Sequence, residues 1–277
     1  MDMKAYEILV NQVIEKLEQW VVPWKQSWIW GIPCNYVTNK SYRWFNRLIL
    51  SMNEFSDNRY LTFKQIVKLW WKIKKWSKST RVYYYQLKEK DVEDETINIP
   101  ITKYYNVFNI EQTTWIKYQT RIVDIDSDLT NAKSIIDNYI DKPIIKDWIM
   151  ASYDVTNDII TIPLIEKFKS SKAYFSTLFH ELIHSTWSKA RLNRIWLSWI
   201  EYYWTDNYSK EELVAEMGAM FLCMEGWILN DTKEESISYI NWWLNYIKWN
   251  KKHLINASIL AEKAVDYILW YHIAKQN

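Results

Sequence analysis

A chain that must turn needs residues that tolerate a left-handed backbone, and this one has only three glycines, Gly31, Gly218 and Gly226, in 277 residues. Glycine ordinarily makes up about 7% of a globular protein; here tryptophan, with 19 copies, holds the share that glycine should. Trp20 follows an amphipathic run and precedes Val-Val-Pro, Trp76 interrupts KIKKWSKS, and Trp187 closes a helical segment. These are turn or helix-end places, where φ > 0 is cheap only without a Cβ. One reading is a Trp-rich surface on which bases stack. Position favours another: UGA codons, read as glycine in some bacteria, have been translated as tryptophan. Abundant Lys, Asn, Ile and Tyr suit the AT-rich genome that this implies.

Charge divides the chain. Residues 1–87 hold 14 Lys/Arg against 6 Asp/Glu, a net +8, while the remainder nets −6. Such asymmetry points to a front part that meets a polyanion and a rear part with another task. The length suits two domains. The lack of an apolar run of membrane-spanning length or a leader-like start gives a cytoplasmic expectation with no membrane partner. Cys34 and Cys223, far apart, offer neither a disulfide framework nor a thiolate cluster, so a metal would need His and carboxylate ligands.

Apolar spacing predicts a helix over 4–19, short helices near 43–53 and 62–70, and strands at 79–87 and 101–108 flanking an acidic loop, KEKDVEDET. The fold class expected is α+β: a small α+β domain over 1–125, a charged linker over 126–145 and a mainly helical domain over 146–277. In the last, two short strands surround an Asx-rich turn in MASYDVTNDIITIP. Helices follow near 171–186, 210–225, 233–248 and 252–275.

The segment YFSTLFHELIHSTW sets His180 and His184 four residues apart, on one helical face, where both imidazoles can reach one ion. Glu181 lies at the edge of that face, suited to take a proton from water activated by the ion. Zinc needs a third protein ligand and keeps its fourth position for water. KEELVAEMGAMFLC offers Glu212 and Glu216 on one stripe that then turns small at Ala219 and Cys223, opposite an oily side of Leu213, Met217, Met220 and Phe221. Spacing does not choose between the two glutamates; one ligates and the other orients a histidine. Glu211 reads as a solvated acid in a helix's first turn. The chemistry is metal-assisted hydrolysis, with a peptide bond as the leading candidate.

These residues resemble a known family. YFSTLFHELIHSTW-SKARLNR followed by YSKEELVAEMGAMFL is similar to the zincin-like metallopeptidase domain of ArdC-type antirestriction proteins, and VVPWKQSW, PCNYVTNKSYRWFN, YLTFKQ, KIKKWSKSTRVYYY and YYNVFNIEQTTWI resemble their N-terminal single-stranded DNA-binding domain. Trp20, Trp44, Trp76, Trp115 and Trp187 stand at glycine positions of that family. The resemblance implies a protein of plasmids and other mobile elements that binds single-stranded DNA and helps it escape restriction, with Zn2+, or another divalent ion such as Mn2+, as cofactor. A similar arrangement in gluzincin-like peptidases tips the third ligand toward Glu212. Single-strand binding needs cations along the phosphates and flat side chains under the bases; Trp24, Arg43, Lys72, Lys74, Lys75, Lys78 and Arg81 are the candidates, directly before Tyr83, Tyr84 and Tyr85. Asn35, Tyr42, Arg43 and Asn46 equally suit a role in shaping the loop. The alternatives are a non-catalytic DNA-binding protein whose metal is structural and a protease acting on DNA-bound or DNA-crosslinked proteins; a restriction component is one candidate substrate.

Overall fold

A computed structural model describes residues 3–19, 31–53, 55–92, 95–114, 128–194, 206–228 and 237–269. The fold is α+β, in two compact units, the first carrying a mixed sheet and the second mostly helical with a small sheet.

In the first unit α1 (Met3–Glu18) buries Val10, Val13, Ile14 and Leu17 along one stripe. A four-stranded sheet has the order β1 (Cys34–Asn35), β2 (Arg59–Thr62), β5 (Glu95–Asn109), β4 (Thr80–Val92), with β1 and β2 parallel and the rest antiparallel. Helix α2 (Phe45–Ser51) buries Phe45, Leu48, Ile49 and Leu50, and Leu50 joins Tyr60, Val82 and Val107 in one core cluster. Helix α3 (Phe63–Lys68) starts at a capping box: Thr62 Oγ1 accepts from Gln65 N while Gln65 Oε1 accepts from Thr62 N. Strands β3 (Lys72–Ile73) and β6 (Thr113–Thr114) form a separate ribbon.

The second unit begins with α4 (Asp128–Asn138), whose Ala132 and Ile135, with the following Tyr139, are buried. Its sheet has the order β7 (Ile144–Asp147), β9 (Ile159–Ile162), β8 (Ser152–Asp154); β7 runs parallel to β9 and β8 antiparallel. Asp154 Oδ1 accepts from the backbone N–H groups of Thr156 and Asn157, the Asx turn that joins β8 to β9. Helices α5 (Ser171–Ser185), α6 (Asp206–Glu225), α7 (Ile237–Trp249) and α8 (Lys251–Ile268) follow, and α6 packs against both α5 and α8. Ser170 caps α5 by accepting from Ala173 N at 3.1 Å. Leu213, Val214, Ala215, Met217, Met220, Phe221, Leu222 and Cys223 of α6 are all buried, so the helix has apolar surface nearly all round and lies at the centre of the unit.

Three expectations change. The segment 126–145, whose LTNAKSIIDNYI reads as helical, does not stand apart as a linker: α4 and the start of β7 lie in it and group with the second unit. The acidic stretch 88–96 does not loop out: β4 and β5 continue through it, Lys88 pairing with Ile99 and Val92 with Glu95, because cross-strand pairing satisfies the backbone whatever the side-chain charge. Trp187 is not left-handed. Helix α5 ends with Thr186 still right-handed, and the Thr186 hydroxyl donates to Ile183 O at 2.7 Å, closing the last turn without a positive φ.

Candidate metal centre

Helix α5 brings His180 and His184 together one turn apart, with Nε2 atoms 3.0 Å from one another. Helix α6 supplies Glu212, whose Oε2 stands 3.5 Å from His180 Nε2 and whose Oε1 stands 3.3 Å from His184 Nε2. Two donors bonded at about 2.0–2.1 Å to one tetrahedral ion stand roughly 3.3–3.4 Å apart. The three separations bracket that figure, and the donor set, two imidazoles and a carboxylate, is that of a gluzincin-like site; the residues fit a divalent cation.

Charge around the three donors favours a cation. Burial pushes His184 down, but the carboxylates of Glu211 and Glu212 outweigh it and lift the imidazole to about 10. Burial raises Glu212 as well, yet its contacts with His180 and His184 hold it far below the usual carboxylate range. Without a metal, the proton on His184 supplies the positive charge that the carboxylates demand.

Glu211, read from the sequence as solvated, is 1% exposed. Its Oε1 lies 3.5 Å from His184 Nδ1, an ion-pair distance. Arg194 grips the same carboxylate with two donors: Nε reaches Oε2 at 3.0 Å and Nη2 reaches Oε1. Burial raises Glu211, and the Arg194 guanidinium and His184 more than offset that, leaving it below its ordinary value. Sequence reasoning missed both residues. The sequence carried no local signal for the pair, since Arg194 closes the polar segment SKARLNR.

Glu181 follows His180 on α5 and is buried at 7% exposure. Glu216, the alternative ligand, is half-buried and does not join the group formed by His180, His184 and Glu212. Glu211, and not Glu216, stands beside a histidine: consecutive residues of α6, Glu211 and Glu212, approach opposite edges of the His184 imidazole.

In the first unit Lys72 of β3 and Lys74, Lys75 and Lys78 of the connection from β3 to β4 are exposed. Arg81 lies over the ring of Tyr104, 4.8 Å from its centroid, and Tyr104 is 57% exposed beside Tyr83. Arg43 is half-buried. Asn46 has an architectural part: its side chain accepts from Tyr83 N at 2.7 Å and donates to Tyr83 O at 2.6 Å, tying α2 to β4. Asn35 accepts from Val37 N and Thr38 N and so shapes its own turn. Trp24 lies outside the described residues.

Residues 130–260 match the family model of a zincin-like metallopeptidase, and residues 3–108 match that of the N-terminal domain of anti-restriction factor ArdC. Two crystal structures of the antirestriction ArdC protein from the R388 plasmid, metal-free and Mn(II)-bound, are similar to this one with a TM-score of 0.76. They are 26% and 25% identical in sequence, over 97% of this chain and 97% of theirs. Two Escherichia coli proteins named DNA primase TraC are 27% and 26% identical over 95% of this chain, which spans only 20% and 27% of their lengths. A protein of Sinorhizobium fredii, y4eC, is 20% identical over 98% of this chain and 92% of its own length.

Proposed function

Since the chain belongs to the ArdC antirestriction family, with a zincin-like metallopeptidase domain and a His-His-Glu metal site, we propose that it protects the DNA of a mobile element by binding it single-stranded and by hydrolysing a peptide bond in a protein. The observation that carries the peptidase half is the convergence of His180, His184 and Glu212 with the buried Glu181 one residue from the first ligand. When bound, the divalent ion, for which the donors suit zinc, supplies a Lewis acid beside the scissile carbonyl. His180, His184 and Glu212 would hold it, all three partly exposed so that water can reach it, and Glu181 would accept and return the proton that hydrolysis moves.

DNA binding is supported by the exposed lysines between β3 and β4 and by Arg81 and Tyr104 at their end, cations and a flat ring on one stretch of surface. The recurrence of this sequence within DNA primases fits a DNA-facing role. We place the domain boundary between β6 and α4.

Glu181→Gln tests the peptidase reading. The variant should retain metal and single-strand binding and lose proteolysis. Protection of incoming DNA undiminished by the change would show that peptide hydrolysis is not how the protein acts.

A further inference from the structure

His184 is approached from both edges, its Nε2 facing Glu212 and its Nδ1 facing Glu211. The Glu211 side chain is buried, where an uncompensated carboxylate would be intolerable. Arg194 supplies the countercharge, and Arg194 is itself fixed to the helix that bears the ligand: Nη1 donates to Thr186 Oγ1 at 2.6 Å and Nη2 to Ile183 O at 3.1 Å. The carboxylate is therefore positioned relative to the last turn of α5, the turn that carries His184. We propose that Glu211, held by Arg194, is a positioning residue of the metal centre: it accepts the Nδ1 proton of His184, which leaves Nε2 free to face the ion and fixes the plane of the ring.

This rests on the metal-centre reading above, and zinc affinity tests it without recourse to proteolysis. Removing one member of a buried ion pair strands the other, whereas replacing both by apolar residues of similar length often costs little stability. Metal-stripped parent and an Arg194→Met, Glu211→Met double variant are each titrated with zinc, and their metal-free melting temperatures are compared. A pair that serves only the fold leaves affinity unchanged once stability is restored. A positioning pair gives a metal-free variant that melts close to the parent yet binds zinc roughly 10–100-fold more weakly; undiminished affinity overturns the proposal. Should the double variant not fold, the parent decides by nitrogen-15 spectra of His184 in the zinc-loaded state. Protonated Nδ1 with zinc on Nε2 is expected, and the reverse overturns it. A parent that takes up no zinc removes the metal-centre reading, and this proposal falls with it.

The backbone carries a second inference independently. Among the described residues seven other than glycine have φ in the left-handed region, and four of them are Trp44, Trp70, Trp76 and Trp227. The other three, Asn39, Asp158 and Asn193, are of the types that tolerate it. Trp70 and Trp227 each sit just past a helix in a Schellman motif: Trp70 N donates to Val67 O and Trp71 N to Ile66 O, as Trp227 N does to Met224 O and Ile228 N to Cys223 O. Trp76 is the third residue of the tight turn closed by Ser77 N and Lys74 O. Trp44, at φ 53 and ψ −136, lies in a region that glycine enters freely and residues with a Cβ do not. Trp70 and Trp76 are 90% and 94% exposed, so no packing offsets the strain. We infer that these four positions are glycine in the polypeptide that the native cell makes, encoded by UGA. Peptide mass spectrometry of protein from that cell should find glycine at all four; tryptophan there, or UGG codons in the gene, overturns the inference.

Discussion

Ile183 lies directly over Gly218: a Cβ built on that glycine would stand 2.6 Å from Ile183 Cδ1 and 2.7 Å from Cγ1. One residue joins α5 immediately before His184, and the other follows Glu212 on α6. The close approach of these two helices is what brings imidazoles and carboxylate together.

Gly218→Ala should therefore cost stability, about 1–3 kcal/mol for overpacking a tight contact, and weaken metal binding by forcing α6 away from α5. Adding Ile183→Val, which frees volume between the helices, should recover part of both. Thermal melts with zinc titrations check this, and an alanine variant as stable as the parent would show that the helices have room to spare.

Metal uptake should expel a proton. With His184 lifted from its ordinary 6.5 to about 10, the metal-free site carries that proton at neutral pH. The pairing of protonated His184 with its carboxylates stabilises the metal-free chain fully below about 6.5 and is lost as pH rises through 10. Zinc requires neutral imidazole, so affinity should run the other way, rising about tenfold per pH unit between roughly 7 and 9. Calorimetry in two buffers of different ionisation enthalpy counts the protons; release of none would mean that His184 is neutral before the metal arrives.

Single-strand affinity should depend steeply on salt. Lys74→Glu with Lys75→Glu should flatten the plot of log affinity against log salt by roughly 1.4, at about 0.7 for each phosphate no longer neutralised. Tyr104→Ala should weaken binding by about 1–3 kcal/mol with little change in that slope, since it removes a stacked base rather than a charge. Anisotropy of a labelled oligonucleotide reads both, and an unaltered slope in the double variant would move the DNA elsewhere on the protein.

Trp70→Gly and Trp227→Gly should each raise stability by about 1–2 kcal/mol, the cost of a left-handed residue with a side chain. Trp71→Gly should do the opposite: that ring packs 5.3 Å from Tyr36, and its φ is not in the left-handed region. If all three lower the melting temperature alike, strain is not what distinguishes the first two.

Helix α5 was legible because its evidence is local: four-residue spacing alone puts His180 and His184 on one face. Glu212 was legible as one of two choices. Glu211 was not, because helical periodicity describes an isolated helix, and an acid in a first turn looks solvated until the neighbours that bury it are known. Its partner Arg194 lies 17 residues away in sequence, on a segment with no periodicity to place it. Strands β3, β6 and β7, two to four residues long, are shorter than the alternation that reveals a strand, and they lack the Asx-rich turn that marked the equally short β8 and β9. The acidic stretch beyond Leu87 was misread for the converse reason: composition argued for a loop, and hydrogen bonds between β4 and β5 decided otherwise.

Glu212 is borne by a helix enclosed on nearly every side, not by a surface loop. Chelation would therefore be felt throughout the domain: at a hundredfold excess over the dissociation constant a bound ion adds about 2.7 kcal/mol to global stability. Withdrawal of the divalent ion would lower the stability of the whole domain, not only empty the site.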